Sequence, residues 1–174
     1  MAKTSGGVRK LKTGSREYSA RMLEVQRMKD SGLYSSVEFS EKGGGYVAIE
    51  KSSMKHTAEE LEAAGFLADN GYKVILLNEA GSITTPDGYV FTYSHEQITP
   101  EGSTSENILQ SLRHAKSKKA DVALLYMKHN RHTRKTVEDG IKEFERVNQK
   151  SGYRFKQILI VTPDGRIHKH KHNQ

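Results

Sequence analysis

Cysteine is absent from the 174-residue chain, which excludes disulfides, thiolate metal sites and cysteine nucleophiles together. The absence is compatible with a reducing compartment. Long apolar runs are also missing, none approaching the roughly 18 residues that a membrane helix needs. The N-terminal stretch MAKTSGGVRKLKTGSREYSARM carries charge but no apolar core of a secretory signal. A cytoplasmic protein without a membrane partner is therefore expected. Acids are in deficit, 21 against 28 Lys and Arg, for a net charge of +7, and eight histidines add to it on mild acidification. That balance favours a polyanionic partner such as RNA, DNA or an acidic protein. A Lys-rich surface that serves only solubility is the alternative. The excess is densest in residues 1–30 and from Arg166 onward, while residues 57–69 are acidic.

The length fits one domain plus an extension. Residues 1–14, rich in Gly, Ser, Thr, Lys and Arg, read as a disordered basic leader. Residues 15–55 read as a helix plus a β-hairpin. Tyr18, Met22, Val25 and Met28 share a helical face, Gly32 stops it, and SEKGGG is the tip between SSVEF and GYVAIE. The glycine triplet is no dinucleotide fingerprint, because no helix opens after it.

Residues 56–174 read as an α/β domain. Thr57 and Glu60 have capping-box spacing, Leu61, Ala64, Leu67 and Ala68 form an apolar stripe, and Gly71 closes the helix. YKVILLN is a continuous apolar run, the mark of a strand covered on both faces. TPDG at 85–88 reads as a tight turn and YVFTY as the strand after it. A helix capped by Ser103 or Thr104, with Glu106 at capping-box spacing from Ser103, feeds the buried strand DVALLYM. A helix over 136–148 feeds FKQILIV, and a second TPDG turn returns RIHKHKH as the last strand. The expected fold is α/β (α+β), a small central sheet with packed helices, preceded by the basic helix and hairpin.

The order EEL-EAA-x-x-LAD-x-GYKV, a PDG turn and strand, then SENI-x-x-x-L-x-x-A-K and ADVALLY resembles the C-terminal tRNA nuclease domain of contact-dependent growth-inhibition toxins. That group falls in the barnase/EndoU/colicin/RelE-like nuclease superfamily. The resemblance covers about residues 56–165. Such domains commonly carry a Glu-x-Lys-like pair on the strand after the PDG turn, where this chain reads YVFTYSHEQ, and a glutamine where it has Lys119. The resemblance implies an RNA-binding protein with metal-independent endoribonuclease activity on tRNA, no cofactor and an immunity-type inhibitor partner. Two non-enzymatic alternatives stand beside it: a nucleic-acid-binding accessory protein of a mobile element, and a protein-interaction module.

Metal-independent RNA cleavage needs a base for the ribose 2′-hydroxyl, an acid for the departing 5′-oxygen, and donors around one phosphate. His56 stands at the start of a capped helix, where free N–H groups favour a phosphate, with Lys55 beside it. Thr104 and Ser105 offer hydroxyls at the start of the next helix, and Ser103 stands before them. Along that helix Arg113, His114, Lys116, Lys118 and Lys119 form a basic cluster. The expected catalytic set is His56, Thr104, Ser105, Arg113 and His114. The expected RNA-binding set is Lys55, Lys116, Lys118, Lys119, His168 and His170. Tyr89, Tyr93 and His95 surround the strand after the first TPDG, where aromatic rings suit base stacking. On a strand His168, His170 and His172 share one face; three imidazoles in line suit zinc, copper or phosphate, but no fourth ligand is placed by sequence. Simple capping, solvation and core packing are the ordinary roles of all these residues.

Overall fold

The computed structural model describes residues 8–51, 55–78 and 85–170. Among them the order is α1 (Arg16–Ser31), β1 (Tyr34–Phe39), β2 (Tyr46–Glu50), α2 (Ala58–Asp69), β3 (Lys73–Leu76), β4 (Gly88–Val90), β5 (Tyr93–Ile98), α3 (Ser105–Ser117), β6 (Val122–Tyr126), α4 (Arg134–Val147), β7 (Gln157–Val161) and β8 (Ile167–Lys169). The strands form one eight-stranded sheet in sequence order. The fold is mixed α/β, as the sequence implies, and the β1–β2 hairpin is continuous with the sheet through β2–β3 pairing.

Three neighbouring pairs, β2–β3, β5–β6 and β6–β7, are parallel. Parallel neighbours need a crossover, and α2, α3 and α4 supply one each. Ala63, Ala64 and Leu67 of α2 pack on Val74, Leu76, Val122, Leu124 and Leu159. Ile108, Leu112, Ile141 and Phe144 of α3 and α4 pack on the other face, against Ala123, Leu125 and Ile158. β6 is therefore buried on both sides, which is why its sequence shows no polar alternation. All three crossovers step the same way across the sheet, yet α2 lies on the opposite face. Its crossover hand is thus opposite to the other two, although one hand is strongly preferred in such units.

Local signals fix most boundaries. The Ser15 hydroxyl accepts from the Tyr18 N–H at 3.2 Å, and α1 ends at Gly32 with φ 74°. Tyr18 and Val25 of its expected stripe are buried, whereas Met22 is 50% exposed. The α3 cap falls on Thr104, whose N–H donates to Asn107 Oδ1 at 2.8 Å. Glu106, expected at that task, instead accepts from Gln110 at 2.6 Å. The two TPDG stretches also differ. Residues 162–165 close a turn, with the Gly165 N–H donating to the Thr162 carbonyl at 3.0 Å. Asp87 already belongs to the sheet margin, its carbonyl accepting from the Leu77 N–H at 2.9 Å.

YVFTY is not one strand. The chain reverses at Phe91 and Thr92, with Phe91 in the left-handed region at φ 54°, so that Val90 lies opposite Tyr93. Without glycine or asparagine there, nothing local announces the hairpin. Burial supplies the compensation: Phe91 packs on the α2-side core and its N–H donates to the Lys73 carbonyl at 2.8 Å.

Of the basic leader, residues 1–7 lie outside the described residues, and residues 8–14 lie on the body. The Leu11 N–H donates to the Gly43 carbonyl at 2.8 Å, and Val8 packs against the α2-side core. Burying two such side chains in part contributes roughly 1–2 kcal/mol. Deleting residues 1–14 is therefore expected to lower the melting temperature, by about 2–4 °C per kcal/mol in a chain of this size. A calorimetric scan showing no change would mean that these contacts contribute nothing.

Candidate functional site

A split in the sheet builds the site. β4 has only three residues, so its pairing with β5 ends at Gly88 and His95. Beyond that point a side chain replaces the missing strand. The Gln97 N–H donates to Asp87 Oδ2 at 2.7 Å, and the Asp87 N–H donates to Glu96 Oε1 at 3.2 Å. Asp87, His95 and Glu96 are all buried, a concentration of polar groups that an apolar core would not tolerate unpaired. Alternation along β5 then sends His95 toward α2 and Glu96 toward α3.

On the α3 side, Glu96 Oε2 meets His114 Nε2 at 2.9 Å. Burial pushes the Glu96 carboxyl above the usual carboxylate range, against the pull of Lys118 and His114. The histidine side chain is 54% exposed while the glutamate is buried. A buried carboxyl thus orients an accessible imidazole through one nitrogen and leaves Nδ1 for a substrate, an arrangement suited to proton transfer.

On the α2 side, His56 Nδ1 meets Glu60 Oε2 at 2.7 Å. This diverts Glu60 from the capping box expected of it, while the Thr57 hydroxyl still caps α2, accepting from the Glu60 N–H at 3.1 Å. His95 lies behind, fully enclosed. Burial, with a smaller push from His56, drives its pKa down to about 4 against the opposing effect of the Gly88 carbonyl. His56 Nε2 and His95 Nδ1 are buried without a hydrogen-bond partner among the described residues.

A cleft of about 410 Å³ lies beside these parts, lined by Thr57 and Glu60 at the start of α2, Gln97 and Thr99 around the end of β5, and His114 and His129, but not by His56, His95 or Glu96. Of its further carboxylates, Glu59 is held by Lys128 at 3.1 Å. The cleft brings together the start of α2 and His114. It does not include Thr104 or Ser105, where Thr104 is occupied by Asn107 and Ser105 is an exposed first residue of α3. Arg113 is exposed and lies near Glu143 of α4. Lys116 donates to Asn148 and sits 5.5 Å from the Tyr153 ring centroid, turned away from the cleft, whereas Lys118 acts on Glu96. Lys55 and Lys119 are exposed.

His168 and His170 lie on and just after the edge strand β8, separated from β5 by β6 and β7, and His170 Nε2 is 3.6 Å from Glu145. His172 lies outside the described residues. Among the described residues no group of three or more His, Asp or Glu is placed to hold a metal ion, and no helix is long and apolar enough to cross a membrane. Sequence reasoning missed Asp87, Glu96 and His129 as site residues and gave His95 only a stacking role. The available signal was SHEQ, a polar run entering the middle of an α/β unit.

No protein-family model matches this chain, and no curated protein does. Among solved structures, a chain of the CdiA-CT/CdiI toxin and immunity complex from Burkholderia pseudomallei has a similar fold, with a TM-score of 0.50 at 15% identity. The match covers 71% of this chain and 98% of that one. At that identity the likeness is one of fold: a mixed α/β architecture of the kind seen in that toxin and immunity complex.

Proposed function

We propose that this chain is a toxin-like endoribonuclease domain acting on tRNA, controlled by an immunity-type inhibitor protein. The observation that carries the reading is the Glu96–His114 pair, a buried carboxyl 2.9 Å from an imidazole that opens on a cleft. His114 takes the proton from the ribose 2′-hydroxyl, and Glu96 stabilises the imidazolium that results. The 2′-oxygen attacks phosphorus, and the 5′-oxygen leaves with a proton from His129, which lines the same cleft. The products are a 2′,3′-cyclic phosphate and a free 5′-hydroxyl. The net charge of +7 draws the polyanion in. The likeness to a toxin–immunity chain and the resemblance of residues 56–165 support the toxin side of the reading, which requires no place in the barnase/EndoU/colicin/RelE-like superfamily.

The test is incubation of purified protein with total tRNA, in EDTA and separately in magnesium, followed by a denaturing gel. Discrete fragments with cyclic phosphate ends in EDTA are expected. Cutting in magnesium alone would remove the metal-independent chemistry. Tight, salt-sensitive binding without cutting in either condition would make the chain a nucleic-acid-binding protein instead.

A further inference from the structure

Between α1 and α3 the sheet has a strip on which Tyr89 stands. Residues opposite one another on paired strands share a face, and Tyr89 lies opposite Ile75 of β3 and Ser94 of β5. Ile75 packs with the α1 cluster. Glu96, two residues beyond Ser94 and so on the same face, sits under His114 of α3. Tyr89 therefore belongs to the floor of a groove walled by α1 on one side and α3 on the other. Although it is on an interior strand, it is 39% exposed, and no other ring among the described residues packs on it. Diagonal neighbours across two strands are roughly 7–8 Å apart. That is about the reach from a nucleobase to the phosphodiester of its own nucleotide. Lys118 stands one helical turn from His114 on the α3 wall and acts on Glu96.

We propose that Tyr89 is a stacking platform for one unpaired nucleobase of a single-stranded RNA segment, with Lys118 holding an adjoining phosphate. The inference rests on the endoribonuclease reading and names its substrate class: an exposed loop or end, not a helix. The faces of bases in a duplex are already stacked, whereas a splayed base offers its face to an aromatic ring. Such stacking tolerates any base, so Tyr89 selects single-strandedness and not sequence. In this position it seats the linkage next to the stacked base at His114.

The probe is a fluorescent RNA decamer with 2′-O-methyl riboses, which cannot be cut by 2′-hydroxyl attack, measured alone and as a blunt duplex. The wild-type protein is expected to bind the single strand more tightly. Tyr89→Ala should weaken single-strand binding by about 5- to 150-fold, with duplex binding unchanged. Tyr89→Phe should bind like wild type, because the ring and not the hydroxyl is used. Lys118→Gln should flatten the dependence of log affinity on log salt by about 0.7, which Tyr89→Ala should leave alone.

Wild-type protein that fails to bind the single strand, or that binds both probes equally, overturns the proposal. So does Tyr89→Ala binding like wild type, Tyr89→Phe losing as much as Tyr89→Ala, or an unchanged salt slope in Lys118→Gln. Because the probe cannot be cleaved, a ring-dependent preference in a protein that cuts no tRNA leaves the platform standing and removes only the nuclease reading. Cleavage that survives with no role for Tyr89 does the reverse.

Discussion

Glu96→Gln and His114→Ala are each expected to reduce tRNA cleavage by about 10²- to 10⁴-fold, the usual loss when a positioned proton-transfer group is removed. In the proposed mechanism His114 carries the reacting nitrogen, and Glu96 acts through it as a positioning residue. Their contact at 2.9 Å makes them one unit, so the double variant should lose little more than either single one. Glutamine keeps the size of Glu96 and its bond to the Asp87 N–H, which guards against misfolding as the cause. It cannot stabilise an imidazolium, so the loss should fall on kcat with KM nearly unchanged, and the pH profile of the residual activity should flatten. His56 gives the contrast. Its ring is enclosed and held by Glu60, so His56→Ala should lower the melting temperature along with the rate. If His56→Ala abolished cutting at an unchanged melting temperature while Glu96→Gln cut normally, the chemistry would belong to the start of α2.

How much of this was legible depends on how far apart the determining residues lie. α1 to α4 announce themselves by an apolar stripe along each, and α2 also by its Thr57 cap, whereas α4 starts after Thr133, earlier than the expected residue 136. β6 and β7 are equally plain, because strands buried on both faces read as continuous apolar runs. The hairpin at Phe91 was not legible, since its left-handed turn uses a residue that local statistics disfavour. The site divides along the same line. His114 was visible as a polar residue on an amphipathic helix. Its partner lies 18 residues earlier, across a β–α crossover, and no spacing rule links the two. Lys116 and Lys118 look equivalent in sequence, yet one is tied down by Asn148 and the other lies near enough to Glu96 to act on its carboxyl through charge. Helix rotation decides that, and the basic cluster alone does not encode it.

Acid should destabilise the protein through His95, and this is the largest effect on stability that the site predicts. The ring is 1% exposed, and its pKa falls from 6.5 to about 4 because burial disfavours the charged form. A histidine with a depressed folded pKa binds fewer protons folded than unfolded. Its neutral burial therefore adds no penalty above about pH 6.5, and stability falls as pH drops from there toward 4. Between pH 7.5 and 5 the loss is about 2 kcal/mol, or roughly 4–8 °C in melting temperature for a chain of this length. Glu96 works in the opposite sense. Its raised pKa favours the folded state while it is protonated, and that advantage is lost as pH rises through the folded value. The check is the slope and not the absolute stability: His95→Gln does not titrate, so its melting temperature should vary less between pH 7.5 and 5 than that of the wild type. Equal slopes would mean that His95 is protonated in the folded protein. The imidazole would then need an anionic neighbour at its Nδ1, which the described residues do not supply.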